Sequence, residues 1–240
     1  MSASVSVPLL LGIIFFSTFT RSVLGFGDAL IAMPLLAVVA GMQIATPLVA
    51  LVASTIAIII LLKAWRRVEI KAAWRLIVSS WAGIPVGLFF LKAAPEAIVK
   101  AVLGIVLVAF ALYNLIVPQL PKLRSEKLSY LTGFVAGVLG GAYNTNGPPV
   151  VIYGTLQKWP PPSFRATLQG YFLPTGLAIL ISHGLAGLWT KEVLRLYVFC
   201  LPVIAAAVFL GGRVNQKVTE GQFNRIIYAF LLVMGVFLFV

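Results

Sequence analysis

The sequence predicts an all-α integral membrane protein built as two five-segment halves in inverted repeat, each with a broken or re-entrant short helix, and about eight to ten membrane-inserted helices in all. Three observations predict it. Of 240 residues, 61% are hydrophobic and 10% charged, against roughly 45–50% and about 25% in soluble domains. The apolar residues fall into runs close to the roughly 20 residues a helix needs to cross a bilayer core of about 30 Å. The runs also appear in the same order twice.

Long apolar runs occupy residues 5–24, 45–62, 76–91, 97–117, 128–142, 164–182, 193–211 and 223–240. Two shorter pieces, 29–40 and 149–156, are too short to cross comfortably alone. Each follows an interruption, Gly25-Phe26-Gly27-Asp28 or Asn144-Thr145-Asn146-Gly147-Pro148-Pro149. Gly and Pro in a membrane helix free backbone groups, which is tolerated where the break is buried in protein or lines a polar cavity. The hydrophilic joint 118–127 divides the chain into a first half, 1–117, and a second half, 128–240. The other long joint is 63–75.

Placing Leu24-Gly25 on Leu139-Gly140, an offset of 115, brings Pro34 onto Pro149 and Leu35-Leu36 onto Val150-Val151. Pro85 and Pro202 each sit inside a later span. Each half then reads as long helix, break, short helix and three further helices. If each long-plus-short pair returns to the side where it began, thirteen joint cations share one side and four the other. If each pair crosses once, the division is ten to seven. The bias of cytoplasmic loops toward Lys and Arg favours the first arrangement. The second half is then inverted, a plan that recurs in secondary transporters with broken helices meeting near the midplane.

Eighteen Lys and Arg against six acids give a net charge of +12. Such a balance can mark nucleic-acid binding, but these cations sit between apolar runs, where orientation and lipid headgroups use them. The bilayer is therefore an expected partner and nucleic acid is not. The lone Cys200 can form neither an internal disulfide nor a cysteine metal site, and no metal or cofactor is expected. The first cation is Arg21, so the basic start of a secretory signal peptide is absent and the first run is expected to stay in the mature protein. There is no His-Glu-x-x-His or Gly-x-Ser-x-Gly motif, and the chain is expected not to be an enzyme. An intramembrane enzyme or an assembly subunit is the remote alternative.

An anion inside a membrane needs donors and positive potential in place of its water. Helix N-termini supply both, and each break opens a short helix, near Ala29 and near Pro149. Proline costs little at a helix start, where its missing N–H would be an orphan anyway. Gly25 and Gly27 belong to the first break. Asn144, Thr145, Asn146 and Gly147 place amides and a hydroxyl in the second. The competing role for these polar residues is capping the following helix. Thr46, Ser54, Thr167 and Gln169 are further candidates, set against polar residues that merely hold helices together. Arg165 could make a bidentate contact to an oxyanion, or snorkel. Arg21 lies close to Asp28, with which it could bind substrate or form a structural ion pair. Asp28 is the one acid within an apolar region, and intramembrane acids are usually functional, so it is the proton-coupling candidate. His183, at a span end, is expected to be structural. Trp65, Trp74, Trp159 and Trp189 sit at span ends as an aromatic belt would, whereas Trp81 lies within a span.

The stretch from Gly25 to Leu36, Gly-Phe-Gly-Asp-Ala-Leu-Ile-Ala-Met-Pro-Leu-Leu, resembles the first motif of the TauE/SafE sulfite exporter family. The stretch from Gly140 to Gly154, Gly-Gly-Ala-Tyr-Asn-Thr-Asn-Gly-Pro-Pro-Val-Val-Ile-Tyr-Gly, resembles its second, and Phe164 to Phe172 continues in the same style. The resemblance covers nearly the whole chain. It implies a multi-pass permease of the cell inner (plasma) membrane that exports a small inorganic or organosulfur anion, sulfite or a small organosulfonate; the expected mechanism is alternating access, driven by the anion's own gradient or by protons. An anion channel, or an uptake permease for another small oxyanion or carboxylate, is the alternative. Small transporters often dimerise, which makes a homodimer a candidate assembly.

Overall fold

In the computed structural model the described residues are 6–65, 68, 70–116, 127–159, 161–215 and 220–238, and they contain no strand. They form α1 (Val7–Leu24), α2 (Asp28–Val39), α3 (Met42–Ala64), α4 (Ile70–Ala93), α5 (Glu96–Ile116), α6 (Lys127–Tyr143), α7 (Gly147–Leu156), α8 (Pro161–Leu185), α9 (Lys191–Asn215) and α10 (Glu220–Phe237). The chain is all-α, as its composition predicts. Of the joint 118–127, all but Lys127 lies outside the described residues.

Among the described residues, five segments are long and apolar enough to cross a membrane: Val7–Leu24, Met42–Leu62, Ala73–Ala93, Glu96–Ile116 and Lys191–Val214. The expected spans at 128–142 and 164–182 fall in α6, which is 17 residues long and rich in glycine, and α8, which is diluted by polar residues. The short helices are shorter still. At a rise of about 1.5 Å per residue, the 12 residues of α2 and the 10 of α7 extend about 18 and 15 Å, against a core of roughly 30 Å.

The two breaks use one backbone device. α1 ends on Gly25 at φ 89, whose N–H donates to the Arg21 carbonyl at 2.6 Å. α6 ends on Asn144 at φ 55, whose N–H donates to the Gly140 carbonyl at 2.8 Å. Left-handed backbone suits glycine, and asparagine is among the few side-chain residues that visit it routinely.

These positions correct the repeat register. Gly25 with Asn144, Asp28 with Gly147, and Met42 with Pro161 are all 119 apart. The offset of 115 instead sets Gly25 on Gly140, inside α6. Pro34 lies within α2 while Pro149 is in the first turn of α7. A slip of four residues is about one helical turn. It keeps the same helix face and leaves the apolar pattern nearly unchanged.

Exchanging each helix with the one five places later reproduces the main packing. α1 lies on α9 as α6 lies on α4, α3 packs on α9 as α8 packs on α4, and α3 with α8 and α5 with α10 pair with their own counterparts. The two halves interlock. The α4–α6 seam is the tightest: a Cβ added at Gly133, Gly137 or Gly141 would run into the backbone of Leu76, Ser80 or Ile84. Small residues allow such close approach in membrane helices. The Ser80 hydroxyl spans the seam to the Gly133 carbonyl at 2.7 Å.

Candidate functional site

The starts of α2 and α7 line one small buried cavity of about 30 Å³, room for roughly one or two water molecules. Arg21, Gly27 and Asp28 come to it from the first break, and Asn144, Thr145, Asn146 and Gly147 from the second. α3 adds Ala53 and Ser54, and α8 adds Phe172 and Gly176. Two interruptions 119 residues apart thus share a wall.

Neither short helix has a side-chain cap at its N-cap residue, Gly27 or Asn146. The competing role of capping is therefore not filled by Asn146, whose Nδ2 donates instead to Thr175 Oγ1 at 3.2 Å. Helix starts without caps keep orphan N–H groups and a partial positive charge. The two starts differ, because Pro148 and Pro149 remove two donors from the first turn of α7. That start offers potential more than hydrogen bonds.

Arg21 is 2% exposed and organises the first break. Its Nη1 donates to Asp28 Oδ2 at 2.7 Å, and its Nη2 to Gln169 Oε1 at 2.8 Å. Gln169 Nε2 donates onward to the Gly25 carbonyl at 2.6 Å. The guanidinium lies 5.0 Å from the Phe172 ring centroid, within cation–π range. One latch therefore ties α1, the first break, α2 and α8 together, and the cavity carries a neutralised ion pair. Buried charges persist only when paired and hydrogen-bonded in this way.

Among the described residues six buried side-chain polar atoms have no hydrogen-bond partner; Arg21 Nε, Ser54 Oγ and Thr145 Oγ1 belong to residues lining the cavity, whereas Thr18 Oγ1, Tyr143 Oη and His183 Nδ1 belong to residues that do not. Leaving a buried donor or acceptor unpaired costs about 1–3 kcal/mol, so these three atoms would gain from a polar group placed in the cavity.

Other candidates do not line the cavity. Gln169 and Gly25 lie behind the cavity, in the latch. Thr46 is fully buried away from it, with Oγ1 at 3.5 Å from the Ala142 carbonyl. The backbone of Arg165 lies in α8, but its side chain is outside the described residues. His183 is fully buried rather than interfacial, with Nε2 at 3.2 Å from the Gly141 carbonyl, tying α8 to α6. Phe172 and Gly176 were not foreseen. Their signal is helical spacing from Gln169, which puts all three on the inner side of α8. Gly176 is where Ser54 packs: a Cβ there would sit 3.0 Å from Ser54 Oγ.

The family model described as "Sulfite exporter TauE/SafE" matches residues 10–238. The chain belongs to this family. A curated relative from Cupriavidus necator, "Probable sulfite/organosulfonate exporter TauE", is 24% identical over 98% of this chain and 95% of its own length. No solved structure matches. TauE/SafE proteins are transporters, not enzymes, and this member is a multi-pass membrane protein. The two stretches that resemble the family's motifs are the ones that converge on the cavity.

Proposed function

We propose that this TauE/SafE protein is a secondary transporter that exports sulfite or a small organosulfonate across the cell inner membrane, with the cavity between the two breaks as its substrate site. The convergence of both uncapped helix starts on unpartnered buried donors carries this reading. A small oxyanion meets two positive helix ends, the hydroxyls of Thr145 and Ser54, the amides of Asn144 and Asn146, and the free Nε of Arg21. Gly27 and Gly147 let the backbone come close. The Cupriavidus relative's name supplies the sulfur-anion class.

Binding needs more room than about 30 Å³, so loading requires the walls to part. In transporters built from inverted repeats, rocking or gating of one helix bundle against another opens the site to alternate sides. Asp28 is the coupling group in this scheme. Its carboxylate holds Arg21 when charged, and its protonation would free the guanidinium for the incoming anion. The experiment is flux of labelled sulfite, then of a small sulfonate, in proteoliposomes with and without a pH gradient. Saturable flux should collapse in Asn144→Ala, and its pH sensitivity should vanish in Asp28→Asn. No flux of any sulfur oxyanion through folded protein would falsify the substrate assignment.

A further inference from the structure

The two short helices are covered differently. α2 packs against α1, α3, α5 and α10, whereas the substantial neighbours of α7 are α6 and α8. The pairing that would mirror α2 on α10 is α7 on α5. Between α5, α6 and α7 lies instead a cleft of about 550 Å³. Phe110 and Tyr113 of α5, Leu131 and Val135 of α6, and Ile152 and Leu156 of α7 form its walls. Leu131 and Val135 are 61% and 41% exposed. In a bilayer this apolar space must be filled with hydrocarbon, and among the described residues no helix fills it.

Its length and its ends specify the filler. Along α6 the lining runs from Leu128 to Leu139, about 17 Å at 1.5 Å per residue, or close to half of a core of roughly 30 Å. That is the depth of one leaflet. The lining on α6 starts one residue after the exposed Lys127, and on α7 it stops two residues before the exposed Lys158. Both lysines belong to the group of cations on the more basic side. No acid lies in the lining, in α6 or in α7. Basic groups flanking an apolar slot between membrane helices suit an anionic lipid.

We infer that this cleft binds one acyl chain of an anionic phospholipid from the basic-side leaflet, with Lys127 and Lys158 at its headgroup. Pro148 lines both this cleft and the polar cavity, so the bound chain backs one wall of the candidate substrate site. The lipid site stands whether or not that cavity carries sulfite.

The test is native mass spectrometry of the full chain released from mild detergent, with phosphatidylglycerol or phosphatidylcholine titrated in. The expected result is one retained phosphatidylglycerol, bound in preference to phosphatidylcholine. Lys127→Gln and Lys158→Gln should each lower that preference about fivefold, the loss for one lysine at an anionic surface. Val135→Trp and Ala109→Phe, which fill the cleft from two helices, should abolish retention, with circular dichroism showing that both are folded. If the filled variants do not fold, the exposed-lysine variants decide the matter. Three results overturn the inference: equal retention in wild type and filled variants, equal binding of both lipids with no lysine effect, or a lipid-free dimer that Val135→Trp splits. The last would assign the cleft to a second copy of the chain.

Discussion

The two breaks occupy equivalent places and do different work. The first is charged and locked: Arg21, Asp28 and Gln169 satisfy one another and the Gly25 carbonyl. The second is neutral and less fully bonded, with Asn144 at φ 55 and the Thr145 hydroxyl without a partner. Backbone shape is common to both, and the side chains are not. A two-fold plan can thus place two helix ends on one cavity while one end is held by a charged latch and the other keeps neutral polar groups.

The largest effect should come from the locked break. Arg21→Ala or Asp28→Ala should cost about 3–5 kcal/mol, the usual penalty for stranding one member of a buried pair, seen as a lower unfolding midpoint. The double replacement Arg21→Met with Asp28→Leu should recover most of that stability and still not transport. Single variants as stable as wild type would show that the latch is not structural. Gln169→Leu should come next, at about 2 kcal/mol, because it leaves the Arg21 Nη2 and the Gly25 carbonyl unpaired.

The neutral break should respond more in flux than in stability. Asn144→Ala should cost about 1–2 kcal/mol, since alanine is strained in left-handed backbone, whereas Asn144→Gly should be about as stable as wild type. If Asn144→Gly transports normally, the residue serves only backbone shape, as Gly25 does. If it is stable and inactive, the amide is needed. The smallest change in stability should follow Thr145→Val and Ser54→Ala. Removing an unpaired buried hydroxyl should leave the fold unchanged or raise its stability by up to about 1 kcal/mol while flux falls. Unchanged flux would mean that these hydroxyls do not meet the substrate.

The helices and breaks were legible because bilayer thickness and backbone chemistry constrain them directly. Hydrophobic runs, Gly25-Phe26-Gly27 and Asn144 through Pro149 mark where chain direction changes, and the nearness of Arg21 to Asp28 suggested their pairing. The repeat register was not legible, because prolines seemed to align while the equivalent residues are a glycine and an asparagine that share a backbone conformation. The partner of Gln169 was hidden for another reason. It bonds Arg21 across a sequence separation of 148, which no local pattern encodes. Ser54 and Thr46 look alike as polar residues in one apolar helix, yet only Ser54 reaches the cavity. That difference depends on how α3 meets α8.

The pairing of α1 with α9 has a consequence for biosynthesis. From the end of α1 at Leu24 to the start of α9 at Lys191, a ribosome moving at about 5–20 residues per second takes roughly 10–30 s. Throughout that interval α1 carries Ser17, Thr18, Thr20 and Arg21, all buried in the finished protein, before α9, on which it packs most extensively, exists. Asp28 emerges within a second or two of Arg21 and can neutralise it at once, long before Gln169 is made. The same ion pair that anchors the mature cavity is therefore the earliest protection available to a nascent first helix that enters the membrane carrying a charge.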